Sequence, residues 1–234
     1  MFRRFKLGLQ AHDSVRLSRV KALPVDPLLT QVPRDWAQGR TWDGNVLDND
    51  VLSNCGPAAV INWLKMMAVA CGRDDLVFTN QDCLDLYTAM GYDGTPATDS
   101  GVVLLDLMNY MQNVGIKGLR FDCFFRVGFA DATHLATATY LAPLIVGASL
   151  PVACQNADTW GELVASDARV WGGHAYLYHA NSPGGGNGKS WGAPVFTTPE
   201  FQVRRWNECY LPVCLELNPS GVDVARLLTL AGEL

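Results

Sequence analysis

The chain is 234 residues long, 49% apolar and carries a formal net charge of −5, enough material to bury one large core or two fused lobes. No apolar run approaches the roughly 18–20 residues that span a bilayer, and the basic start Met1–Lys6 has no apolar stretch or cleavage site of a signal peptide; a soluble protein without membrane contact is expected. Seven cysteines, at 55, 71, 83, 123, 154, 209 and 214, fall without CxxC pairs or Cys/His ligand spacing, so no disulfide framework, metal or cofactor is expected and a reducing compartment fits best.

Residues 1–25 hold six Lys/Arg against the single Asp13, a basic arm on an acidic body. Its charges alternate with Leu and Val, which suits packing on a neighbour as well as phosphate binding, and no nucleic-acid-binding motif accompanies them. Pro24, Pro27, Pro33 and Gly39 favour an extended segment, so residues 1–48 read as an arm that docks on another subunit or across its own body. The compact part, 49–234, opens with a helix from Cys55 whose Ala58, Ala59, Val60, Ile61, Trp63, Leu64, Met66, Met67 and Val69 cover nearly every face, as in a buried central helix.

A second helix is predicted from Thr79, with a Thr-x-x-Asp capping box to Asp82, ending at Gly91. A third follows Asp99-Ser100 as N-cap candidates and stops at Gly115. After a link over 121–127 and a helix near Asp131–Leu141 the period changes. Runs at 144–148, 174–178, 192–197 and 209–217 are short, rich in aromatic and β-branched residues and bounded by Pro and Gly, the pattern of strands. Ser182-Pro183-Gly184-Gly185-Gly186-Asn187-Gly188 reads as a flexible loop, and a last amphipathic helix is expected over Val222–Leu230, within about 220–232. The whole is an α+β chain: a helical lobe at about 49–142, a mostly antiparallel sheet lobe at about 143–218, and the closing helix.

A thiol becomes a nucleophile when ionised, and a helix N-terminus and a neighbouring imidazolium both favour the thiolate. Cys55 is predicted to have the first, and His174, opening a strand after Gly172-Gly173, supplies the second. Asn49, six residues before the cysteine, is the candidate side-chain donor to an oxyanion, alongside the Cys55 backbone N–H. His12 and His134 lack such a setting, and His179 lies five residues beyond His174, on the opposite face of a strand.

Three places carry a resemblance: Cys55-Gly56-Pro57-Ala58-Ala59 at a helix start, Gly173-His174-Ala175 at a strand, and Ser190-Trp191-Gly192. Together they resemble the papain superfamily of cysteine peptidases, and Cys-Gly-Pro-Ala is also similar to its bacteriocin-processing branch. Over nearly the whole chain, Lys6-Leu7-Gly8, His12-Asp13, Asp35-Trp36, Asn49-Asp50, Asp99-Ser100-Gly101, Gly172-Gly173-His174, Trp191-Gly192 and Trp206–Tyr210 resemble a papain-like protein family of tailed bacteriophages. The likeness implies a papain-like fold in which Cys55 attacks and His174 moves the proton. It also departs from the pattern: papain-like enzymes carry Gln where this chain has Asn49, and Asn where it has Lys189. A lysine cannot accept the Nδ1 proton of an imidazole, so the orienting role passes to Ser190, to Asn187 or to a backbone carbonyl. Two functions follow. One is a virion component of the head surface, neck or tail, joined to other virion proteins or to copies of itself through the arm and present in host cytoplasm before assembly. The other is a cysteine peptidase or amidase acting on a peptide.

Overall fold

Cys55 begins the longest helix of the computed structural model, which describes residues 6–11, 13–23, 34–219 and 228–229. In chain order the elements are α1 (Ser14–Ser18), α2 (Cys55–Ala70), α3 (Asn80–Ala89), α4 (Leu104–Asn113), β1 (Cys123–Arg126), α5 (Ala132–Leu141), β2 (Leu144–Pro151), β3 (Thr159–Trp160), α6 (Glu162–Ser166), β4 (Val170–Ser182), β5 (Gly185–Ser190), β6 (Ala193–Thr197), α7 (Pro199–Arg205) and β7 (Trp206–Val213). Short 3₁₀ turns cover Val152–Asn156 and Leu215–Leu217.

Residues 55–68 of α2 are buried without a break, as its all-round apolar pattern requires. Pro57 falls in the first turn, where its missing N–H removes no helical hydrogen bond. The Trp63 indole donates to the Pro143 carbonyl at 2.8 Å and ties the helix to the start of β2. Thr79 and Asp82 form the expected capping box on α3. Asp99 and Ser100 do not cap α4: its N-cap is Val103, with no side-chain bond, because Asp99 is committed to partners described below.

The sheet has seven strands in the order β1-β7-β2-β4-β5-β6-β3, antiparallel except where β3 runs parallel to β6. The stretch read as a link over 121–127 contains β1, an edge strand paired with β7. The glycine-rich segment is not a loop. Ser182 Oγ closes a turn on Gly185 O, and Gly185–Ser190 forms β5 between β4 and β6. Glycine serves close approach here, since a Cβ on Gly186 would come within 2.0 Å of the Ala180 carbonyl oxygen. The helix expected over 222–230 lies almost wholly outside the described residues.

Two pieces of the N-terminal 48 residues reach β4. Trp36 is fully buried, its indole N–H donating to Thr139 O at 2.7 Å and its backbone N–H to His179 O at 3.1 Å. Residues 6–10 lie farther along β4, with Leu9 N–H donating to Gly173 O at 3.1 Å. Leu17 and Leu23 also join the core.

Candidate active site

The N-terminus of α2 abuts β4, and the Ala175 N–H donates to Cys55 Sγ at 3.3 Å. One peptide unit separates that nitrogen from the Cα of His174, which therefore lies within about 6 Å of the sulfur. His174 Nε2 meets Ser190 Oγ at 2.9 Å, while its Nδ1 is buried without a hydrogen-bond partner. Of the candidates named to orient the ring, Ser190 is the one bonded to it, at Nε2 and not at the Nδ1 that the sequence reading assigned to an orienting acceptor. Trp191 stacks on the imidazole, ring centroids 4.0 Å apart and planes 17° from parallel, and leans on Trp171 at 5.3 Å. Its φ of +46° lies in the left-handed region, which non-glycine residues avoid, so the Ser190-Trp191-Gly192 turn holds strain to set the indole over the ring.

Asn187 is not an orienter. It pairs with Ala180, six residues along β4 from His174 and roughly 20 Å away at strand spacing, and its side chain is exposed. Asn49 is buried, but its Nδ2 donates to Leu52 O at 3.1 Å and stabilises the turn that delivers Cys55. The amides of Cys55 and Gly56 in the first turn of α2, together with Ala175 N–H, are the donors that favour negative charge on the sulfur. His134 is structural, with Nδ1 accepting from Gly128 N–H and Nε2 against Leu23 O. His12 lies outside the described residues.

The sequence leads one to expect a thiolate and an imidazolium; the structure holds both groups neutral. Cys55 and His174 are each 1% exposed. Burial pushes the thiol up to about 11 and the imidazole down to about 3, because a low-dielectric enclosure disfavours either charge. No hydrogen bond joins the two side chains, whose hydrogen bonds are those given above.

The enclosure is the chain's own strand. Residues 6–10 run through the groove between the helical wall and the sheet. On one side Val102 N–H donates to Gly8 O at 2.7 Å and Gln10 N–H to Val102 O at 2.8 Å, a parallel bridge centred on Leu9; on the other, Leu9 N–H binds Gly173 O. The slot admits main chain alone: a Cβ on Gly8 would fall 1.7 Å from Ser53 O, one on Gly101 1.9 Å from Gly8 O, and one on Gly173 2.4 Å from Leu9 O. Gly8 also turns its N–H toward Cys55 Sγ. The nucleophile therefore faces an amide hydrogen, and the Gly8 carbonyl is engaged by Val102.

The segment's outer end is latched. Lys6 Nζ reaches Asp99 Oδ2 at 2.6 Å, and Lys6 O accepts from the Trp191 indole at 3.3 Å. Asp99, its side chain 5% exposed, also accepts from Ser53 N–H at 2.7 Å and from Tyr87 OH at 3.0 Å, while Tyr87 Oη accepts from Gly101 N–H. Despite the cost of burial, the Lys6, Ser53 and Tyr87 donors hold its carboxyl below the usual value. Sequence reading noted Lys6-Leu7-Gly8 and Asp99-Ser100-Gly101 as patterned residues without bringing them together. The usable signal was glycine in both.

No family model matches the chain, and no curated relative matches it by sequence. Solved structures do. Xylellain, a cysteine protease from Xylella fastidiosa, is similar at a TM-score of 0.65 and 12% identity over 91% of this chain and 97% of that one. A cysteine protease of Carica candamarcensis is similar at 0.58 and 16% identity, over 77% of this chain and 97% of that one. A procathepsin B from Trypanosoma congolense is similar at 0.60 and 8% identity, over 89% and 86% respectively. The chain has the fold of the papain-like cysteine proteases.

Proposed function

We propose that this chain is a latent cysteine hydrolase acting on peptide bonds, with Cys55 as nucleophile, His174 as base and acid, and residues 6–10 as the plug that keeps it closed. The observation that carries the reading is the groove itself, which already binds an extended peptide backbone by hydrogen bonds on both walls directly over the cysteine. When the plug leaves, water reaches both groups and the burial that keeps them neutral is relieved. The thiol proton passes to His174 Nδ1 and the sulfur attacks the carbonyl carbon. The Cys55 N–H at the helix start steadies the oxyanion, and the imidazolium then protonates the leaving amine. Water, deprotonated by His174, hydrolyses the thioester. Ser190 positions the ring throughout, its Oγ accepting a hydrogen bond from Nε2–H.

The direct test incubates a mixed peptide library with the full chain carrying Gly8→Val, with Cys55→Ala added as control. Products that vanish in the control support the reading. Identical product profiles would sink it.

One observation favours a second reading, a virion component that keeps the fold and not the activity: Cys55 and His174 are both buried, and the His174 Nδ1 has no hydrogen-bond partner. The same resemblance that suggests tailed bacteriophages suggests other virion proteins, or copies of this chain, as partners. Recovery of the protein in assembled particles, with no cleavage by the opened variant, would favour it.

A further inference from the structure

Strand β1 is an edge of the sheet, and its outer side is only partly paired. Arg126 N–H donates to Lys21 O at 2.8 Å and Arg126 O accepts from Leu23 N–H at 2.9 Å, a parallel bridge centred on Ala22. Backbone groups alternate sides along a strand, so Phe124, two residues before Arg126, turns its N–H and C=O to the same outer side. Pro212, which has no N–H to give, stands opposite Phe124 on the inner side. In the register of the arm the partner of Phe124 would be Val20. That residue turns its N–H back to Leu17 O at 3.2 Å, just beyond the end of α1, so the arm leaves the edge there. Among the described residues no main-chain group bonds Phe124 on its outer side.

The gap is a cleft of about 370 Å³ between the arm and α4, at the lower end of the roughly 300–1,000 Å³ typical of small ligand sites. Its α4 wall is Leu105, Asn109 and Gln112, one stripe at i, i+4 and i+7. Its arm wall is basic, with Arg16, Arg19 and Lys21, and among the described residues no carboxylate lines it. Arg16 is held by Asp106, whereas Arg19 is exposed and forms no ion pair with a described residue. A phosphate offers only acceptor oxygens and would set them against the Phe124 carbonyl. A peptide unit carries one donor and one acceptor and answers both edge groups, and the carboxamides of Asn109 and Gln112 also carry both kinds.

We propose that this cleft docks a short, extended acidic segment of a partner protein, one peptide unit of which completes the β1 edge at Phe124 while a neighbouring Asp or Glu meets Arg19. The bridge at Arg126 blocks further pairing along the edge, so the fitting element is a chain end or a loop tip and not a long strand. Strand β1 stands three places from β4 in the sheet, about 14 Å at normal strand spacing. The proposal therefore holds whether or not Cys55 is active.

The test uses the full chain with Cys55→Ala, which removes the thiol and with it any cleavage, and the blocked peptide acetyl-Glu-Asp-Val-Glu-Asp-amide as probe. Binding is measured by titration, and its place by amide shifts of the nitrogen-15-labelled chain. Saturable binding that shifts the Phe124 amide and leaves Gly173 and His174 unmoved is expected. Arg19→Glu, a change at an exposed position, should weaken it about tenfold, and methylating the valine nitrogen of the peptide, which removes its N–H, about fivefold. Inorganic phosphate at matched ionic strength should not displace the peptide. No saturable binding, shifts confined to the catalytic groove, or an affinity indifferent to both Arg19→Glu and valine methylation would overturn the proposal. So would oligothymidylate binding more tightly than the peptide, or self-association of the chain that Arg19→Glu abolishes, since either result gives the cleft to another occupant.

Discussion

The two N-terminal segments that meet β4 treat its two histidines differently. Residues 34–36 place Asp35 Oδ1 at 3.1 Å from His179 Nδ1 and bury Trp36 completely, and the Trp42 ring closes on the same imidazole at 6.2 Å. Residues 6–10 give His174 no carboxylate. They bond beside it, at Gly173, with Lys6 and Gln10 exposed and Leu7 and Leu9 half-buried. The first segment is held by a buried indole and belongs to the core. The second is held by main-chain bonds in a glycine slot and a latch at one end, which makes it a cover with little side-chain burial to lose on leaving. A histidine with a carboxylate partner stands away from the thiol, and the histidine near the thiol is oriented by a hydroxyl alone.

Disrupting the cover should give the largest effect. Gly8→Val forces a side chain against Ser53 O; overpacking of this kind costs about 1–3 kcal/mol, so Cys55 labelling by a neutral alkylating reagent should rise roughly 10- to 100-fold. Unchanged labelling would mean that the segment is as integral as residues 34–36, and the contrast between the two would be lost.

The next effect is pH dependence. His174 is held down to about 3 in the closed state by burial alone, so the unfolded or opened chain binds its proton first. Stability of the closed state is complete above the ordinary imidazole value near 6.5 and falls on acidification through the window from there to about 3, at about 1.4 kcal/mol per pH unit. His174→Gln should flatten that slope in denaturant melts taken across the window. His179, also lowered by burial but pulled back by Asp35, should lose stability over a narrower window below its ordinary value. An equally wide window from each would erase their difference.

Asp99→Ala removes the carboxylate shared by Lys6, Ser53 and Tyr87 and should cost about 2–3 kcal/mol in equilibrium unfolding. Lys6→Ala breaks only an ion pair whose lysine is half exposed and should cost under about 1 kcal/mol while still speeding Cys55 labelling. Ser190→Ala leaves His174 Nε2 without its partner; about 1–2 kcal/mol of stability should go. In the Gly8→Val background it should lower kcat with KM little changed, the signature of a positioning residue. Smallest is Asp35→Asn, at the half-exposed end of the His179 pair, expected below about 1 kcal/mol by thermal melts with Cys55 labelling unaltered.

Much of the fold was legible because local patterns and burial agree. The all-round apolar run after Cys55, the Thr79–Asp82 box, the helix near Asp131–Leu141 and the short aromatic-rich run at 174–178 each specify their element without help. So did the pairing of nucleophile and base with Ser190, since three short motifs place them on a helix start, a strand and a turn. Where residues serve a distant backbone, sequence reading failed. The Ser182–Gly188 run reads as flexible because glycine is permissive, yet its glycines are there to let strands and a tyrosine ring approach. Asp99 reads as a cap because it precedes a helix, yet it binds a lysine 93 residues earlier. The protonation state of the site was equally hidden: the motifs predict an ion pair, whereas the folded chain buries both groups, with residues 6–10 laid along the groove beside them. The sequence by itself determined which groups would meet at the head of α2. Tertiary structure decided whether they meet charged or neutral, because charge depends on solvent, and solvent access depends on how segments far apart in the chain, residues 6–10 among them, close over the site.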